Sequence, residues 1–242
     1  MAGPVPSWPR PGGGLRGVAI LGGSFNPLHT AHMRMAIEVW EHLAPVLDHV
    51  DLLPCANPPH KRAEILLPFD IRVGAIRAAL GSFPWLHCNP MEGERATFSW
   101  TWDTLGLYQE HLPGRELFFI LGSEDYEKLP SWRNGLMLPS RCTLVVMPRV
   151  GRGQWDFQTA TRRLWPEAEP AAMTACADEP DLSCMWTGRG HALCLDAPWL
   201  DISSTDIRNR WLAGRSMRLL VPQEVSRYLD GREEEILRHW AN

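Results

Sequence analysis

Two histidines three residues apart, His29 and His32, follow a glycine pair at the end of a short apolar run. The run is Val18 to Leu21, and Gly22-Gly23-Ser24-Phe25-Asn26-Pro27 leads from it to the histidines. At that spacing two imidazoles share one face of a helix, and near its first turn the free N–H groups and the dipole favour an anion. Glycines without a Cβ let the backbone turn sharply and approach a ligand, and Pro27 suits the first turn of the helix. The chemistry indicated is phosphate binding at the end of a buried strand, where α/β sheets hold nucleotides.

Two distant segments offer the same chemistry. The loop Pro54-Cys55-Ala56-Asn57-Pro58-Pro59-His60-Lys61 is stiffened by prolines, which cut the entropy lost on ordering and would hold His60 and Lys61 toward a phosphate. Near the C-terminal end, Asp201-Ile202-Ser203-Ser204-Thr205-Asp206-Ile207-Arg208 sets hydroxyls and N–H groups at a helix start, with Arg208 one turn on to grip phosphate by two bonds. Each fragment also has an ordinary structural reading: solvated histidines, an exposed loop, plain N-caps. No nucleophile–base pair accompanies them, which fits direct phosphoryl-group chemistry, where positioning and charge stabilisation dominate.

The elements that must position these groups alternate strand and helix. Val18–Leu21, Val50–Leu53, Leu86–Pro90, Glu116–Leu121, Thr143–Met147 and Ala192–Leu195 read as strands, with ELFFIL apolar throughout as a central parallel strand should be. Leu28 to about Leu43 reads as a helix with Ala31, Met35, Val39 and Leu43 on its apolar stripe, and Phe69–Leu80 as another with Ile71, Ala75, Ile76 and Ala79. A helix is also expected within Arg95–His111, where Thr101, Asp103 and Thr104 form a capping cluster or contact a ligand. The fold class is α/β, a Rossmann-like parallel sheet with helices on both faces. From Arg152 to about Arg189 periodicity fades, and an insertion is expected that could form a lid or a contact between copies of a homo-oligomer. The rest of 17–242 reads as one domain behind a proline- and glycine-rich leader, 1–16.

With 242 residues, 45% of them hydrophobic, the chain can bury a full core. A formal charge of −4 argues against general nucleic-acid binding, and no apolar run reaches the length of a membrane span. Six cysteines without CxxC spacing suggest reduced thiols in a cytoplasmic protein, with neither metal ligands nor a disulfide framework among them.

The segment GGSFNPxHxxH resembles the amino-terminal signature of the HxGH-motif nucleotidyltransferases, in particular the bacterial nicotinate-nucleotide adenylyltransferases, with Ala31 where that family has glycine. PPHK, SWTWDTL over 99–105 and the late ISSTxIR are similar to further family segments. So are Gly122-Ser123-Glu124 with Leu129 and Trp132, and Arg149-Val150-Gly151. Glu124 stands for the usual aspartate and Val150 for proline, and the resemblance runs from about residue 17 to 230. It implies transfer of an adenylyl group from ATP, with Mg²⁺, to nicotinate mononucleotide in NAD biosynthesis. His29, His32, Lys61 and Arg208 would be catalytic. Gly22, Gly23, Ser24, Phe25, Gly122, Glu124, Ile202, Ser203, Ser204 and Thr205 would bind ATP, and Asn26, Thr101, Trp132 and Arg149 the acceptor. The alternatives are another acceptor, nicotinamide mononucleotide or pantetheine phosphate, or a non-catalytic nucleotide-binding relative.

Overall fold

The computed structural model describes residues 16–58, 66–95, 98–148, 155–172, 181–198 and 200–241. The expected leader, apart from Arg16, lies outside the described residues, as do His60, Lys61, Arg149 and Val150.

Among the described residues eight strands form one sheet: β1 (Gly17–Gly23), β2 (Leu47–Pro54), β3 (Leu86–Cys88), β4 (Leu117–Gly122), β5 (Thr143–Met147), β6 (Glu169–Pro170), β7 (Leu182–Trp186) and β8 (His191–Leu195). Their order is β3-β2-β1-β4-β5-β8-β7-β6. The pairs from β3 through to β8 are parallel, and β7 and β6 add an antiparallel edge. Eight α-helices accompany them among the described residues: α1 (Thr30–Leu43), α2 (Phe69–Ala79), α3 (Thr101–His111), α4 (Ser123–Glu127), α5 (Phe157–Leu164), α6 (Ser204–Leu212), α7 (Gln223–Asp230) and α8 (Glu233–Trp240).

The two-residue period of the strands splits the interior into two cores. Ala19 and Leu21 of β1, Phe118 and Ile120 of β4, and Val145 and Met147 of β5 face one side, where they meet the apolar stripes of α1, α2 and α7. Val18, Ile20, Leu117, Phe119, Leu144 and Val146 face the other, against α3, α4 and α5. Burial on both faces is why these strands read as continuous apolar runs. Helix α2 packs against α7 so closely that a Cβ on Gly74 would lie 2.0 Å from the Tyr228 hydroxyl.

Three local expectations change. Leu28 is buried but not helical, and α1 begins at Thr30, because Phe25 takes a left-handed φ of 43° and His29, the N-cap, is extended. Pro27 therefore belongs to the loop before the helix. Gly22 and Gly23 finish β1 instead of turning; the positive φ falls on Phe25. Thr101 is the first residue of α3 rather than its cap, which is Trp100. In the stretch from 152 to 189, where no periodicity is evident, the chain forms α5, β6 and β7, which continue the sheet and its second core.

Candidate active site

Strand order reverses direction between β1 and β4, and the crevice outside their carboxyl ends is where a doubly wound sheet accepts a ligand. A cavity of about 560 Å³ opens there. Leu21 and Gly22 of β1 and Phe119 to Gly122 of β4 form its floor. Two helix starts point into it, that of α1 with His29 and His32 and that of α6 with Ser203, Ser204 and Thr205. A Cβ on Gly22 would come within 3.4 Å of the Phe119 ring, so glycine keeps the floor open more than it enables a turn.

His29 is the N-cap of α1 and His32 lies in its first turn. Their rings stack with centroids 3.6 Å apart, and the His29 backbone N–H donates to His32 Nδ1 at 3.3 Å. Acceptance at Nδ1 leaves the proton of a neutral His32 on Nε2, giving that ring a donor beyond its own helix. Phe25 is buried and meets His32 edge-on at 4.9 Å, so it orients the imidazole from behind.

The second wall is tied to the first across nearly the whole chain. Ser203 caps α6 by accepting from the Asp206 N–H at 3.0 Å. Ser204 Oγ donates to the Pro27 carbonyl at 3.2 Å, and Arg208 Nη1 to the Asn26 carbonyl at 3.0 Å. Arg208 Nη2 reaches Thr205 Oγ1 at 3.1 Å. Burial lowers the pKa of Arg208 from its ordinary value, yet a guanidinium remains a cation at any working pH. The arrangement is a cationic, donor-rich cradle, suited to a polyphosphate.

Asn26 sits inside this scaffold at 2% exposure. Its Oδ1 accepts from the Leu67 N–H at 3.1 Å and from Trp240 Nε1–H at 3.3 Å, so the side chain braces the loop at the border of the cavity.

A second cavity of about 210 Å³ shares Gly22, Ser24, Phe119, Asp125 and Trp132 with the first and extends toward α3. Gly23 and Thr101 line this one, beside Ser99, Thr104 and Cys55. Trp132 is half-buried and edge-on to Phe119 at 6.4 Å, leaving it a wall common to both cavities. Thr104 Oγ1 donates to Glu92 at 2.8 Å. Burial, with the negative charge of Glu92, pushes the Cys55 thiol up to about 12, so it stays protonated and serves as wall, not nucleophile.

Of the residues singled out in the sequence, the larger cavity gathers Gly22, Ser24, Asn26, His29, His32, Gly122, Glu124, Trp132, Ile202, Ser203, Ser204, Thr205 and Arg208. Gly23 and Thr101 are in the smaller one, Phe25 is behind the wall, and Lys61 and Arg149 lie outside the described residues. Sequence reasoning missed Asp125, exposed beside Glu124 and lining both cavities. It also missed Arg72, which supports both from below. Arg72 is 2% exposed and donates to the carbonyls of Ser24 and Cys55, each at 2.8 Å, and of Leu67 at 2.9 Å. A signal existed: Arg72 precedes Ala75 and Ile76 by three and four residues, which places a cation on an apolar stripe.

A mostly parallel sheet with a donor-rich cavity at its switch point defines a nucleotide-binding α/β protein. Comparison with known proteins narrows the class. The family described as cytidylyltransferase-like matches residues 20–210. A probable nicotinate-nucleotide adenylyltransferase of Geobacter sulfurreducens is 37% identical over 222 residues, covering 91% of this chain and 97% of that protein. The corresponding protein of Geobacter metallireducens is 37% identical over 220 residues, with coverages of 91% and 97%. Among solved structures, the Plasmodium falciparum nicotinic acid mononucleotide adenylyltransferase complexed with NaAD superposes with a TM-score of 0.68 at 16% identity, covering 91% of this chain and 97% of that one. The chain belongs to the nicotinate-nucleotide adenylyltransferases, within the cytidylyltransferase-like family.

Proposed function

We propose that this chain joins the AMP moiety of ATP to nicotinate mononucleotide, releasing pyrophosphate and forming deamido-NAD. The observation that carries the reading is the pair of cavities with one shared wall: the larger suits the ATP phosphates and the smaller a pyridine ring against Trp132. The acceptor's 5′-phosphate attacks the α-phosphorus of ATP; a new P–O bond forms as the bond to the β-phosphate oxygen breaks, and the electron pair leaves with pyrophosphate. A phosphate monoester is largely dianionic at neutral pH, its second pKa being about 6, so no protein base is required.

His29 and His32 at the start of α1, with Arg208 on α6, hold the phosphates in line and neutralise charge that accumulates on the leaving group. Lys61 completes this set in our reading. Mg²⁺ is proposed to enter with ATP. The carboxylates lining the larger cavity, Glu124 and Asp125, are adjacent and exposed, a donor set that fits an ion held mainly by substrate phosphates and water. Such an ion would screen the polyphosphate charge. Ring stacking on Trp132 would contribute about 1–3 kcal/mol.

Pyrophosphate release with ATP and each mononucleotide in parallel tests the reading. Nicotinate mononucleotide is expected to turn over much faster than nicotinamide mononucleotide, and equal rates would refute acid specificity. His32→Ala is expected to lower kcat by about 10²–10³-fold while the fold persists. A folded, fully active variant would remove His32 from the mechanism.

A further inference from the structure

At the opposite edge of the sheet from β6, three metal-ligating side chains converge that the proposed reaction does not use. His49 and Asp51 lie two apart on β2 and so face the same side, and β3 pairs His87 directly with Asp51. One ligand atom from each lies within 4.8 Å of the others. The imidazoles of His49 and His87 stack at 4.5 Å, and His49 Nε2 is 3.4 Å from Asp51 Oδ1. We infer that His49, Asp51 and His87 form a binding site for a Zn²⁺-class divalent cation, which bridges β2 to the short edge strand β3.

The surroundings are built as a metal site's are. Asp51 is 4% exposed, and its Oδ2 accepts from the Tyr108 hydroxyl at 2.7 Å and from Asn89 Nδ2 at 2.9 Å. Those two bonds fix the carboxylate and leave Oδ1 directed at His49, the outer-shell support that ligating carboxylates need. His87 Nε2 is 3.3 Å from the Pro84 carbonyl; donation there puts the lone pair of a neutral ring on Nδ1. Burial would raise the Asp51 pKa, but hydrogen bonds from His49, Asn89 and Tyr108 outweigh it and hold the group below its ordinary value, so the carboxylate is anionic and ready to ligate.

Two imidazoles and one carboxylate select a borderline cation over Ca²⁺ or Mg²⁺, which prefer all-oxygen shells. Ligand atoms around a tetrahedral Zn²⁺ with bonds of about 2.1 Å stand roughly 3.4 Å apart, so closure asks for side-chain shifts of about an ångström. His87 is exposed and His49 half-buried, which leaves solvent to fill the fourth position. The ligands come from two strands, with the paired Asp51 and His87 36 residues apart in sequence, so no local spacing motif announces them.

The test is calorimetric titration of ZnCl2 into the full chain after chelator treatment, with Co²⁺ visible absorption as a report of the coordination shell. We expect saturable uptake of one equivalent, with imidazole-type Co²⁺ bands and a higher Tm in the metal-bound form. His49→Ala and His87→Ala should each weaken binding by about ten-fold or more, and the exposed control His111→Ala should not. His87 is at the surface, so its variant folds and decides the matter even if His49→Ala does not, with circular dichroism as the check. Absence of saturable uptake, or uptake that survives in His87→Ala, overturns the site.

Discussion

Arg72→Met would strip three hydrogen bonds from beneath the active site while keeping most of the side-chain volume. The guanidinium serves the carbonyls of Ser24, Cys55 and Leu67, which belong to the segments after β1, after β2 and before α2. Bonds from a charged donor are worth about 1.5–3 kcal/mol each, so the gross loss is about 4.5–9 kcal/mol. Part returns, because the substitution removes a cation whose burial is costly enough to lower its pKa. A net destabilisation of about 2–4 kcal/mol is expected, a large fraction of the roughly 5–15 kcal/mol that holds a domain folded. Arg72→Lys retains the charge but not the planar fork, and should fall between. Urea unfolding followed by circular dichroism measures the loss, and pyrophosphate release measures its cost to function. KM for both substrates should rise, because Ser24 borders both cavities and Cys55 the smaller one. A methionine variant within about 0.5 kcal/mol of the parent would refute the structural reasoning. A destabilised variant with unchanged KM values would refute the link to the site.

Trp240→Phe keeps an aromatic ring against Trp211, which it meets edge-on at 5.4 Å, but loses the bond to Asn26. About 1 kcal/mol of stability should go, seen as a Tm lower by roughly 2–4 °C; an unchanged Tm would show that the bond contributes nothing. Asp51 gives a pH prediction. Its folded pKa is depressed, so its stabilisation is fully present above the unfolded value of 3.8 and is lost as pH falls through the folded value. The stability gap between the parent and Tyr108→Phe should therefore hold at higher pH and narrow in acid unfolding curves only as pH falls below about 4. A constant gap would mean that the Tyr108 hydroxyl acts through packing alone.

The parallel core was legible because burial on both faces writes itself as unbroken apolar runs, as in LFFILG of β4. The stripe Ala31, Met35, Val39 and Leu43 located α1 for the same reason, since each is buried. Edge strands β6 and β7 were not legible: Leu182–Trp186 alternates burial weakly, and the glycine turn Thr187–Gly190 that joins β7 to β8 lies at the end of a stretch without periodicity. Nor was the loop after β1, where glycines suggest the turn but Phe25 takes the left-handed conformation. At the site, many residues that line the cavities could be read from local patterns, whereas those that hold the loops could not. Arg72, Asn26 and Trp240 act on partners 5 to 214 residues away, and no sequence window contains both ends of most of these bonds.

The bond from Trp240 to Asn26 has a temporal side. Synthesis emits the chain from its first residue, and domains near the N-terminus generally begin to fold while translation continues. Here the loop carrying His29 is pinned by Ser204, Arg208 and Trp240, which emerge well over a hundred residues later. Strands β1 to β5 can pair beforehand, but the cavity closes only when α6 and α8 arrive. A ribosome-tethered chain lacking residues 203–242 would thus carry both histidines and most of the sheet, and still have only part of the cavity wall.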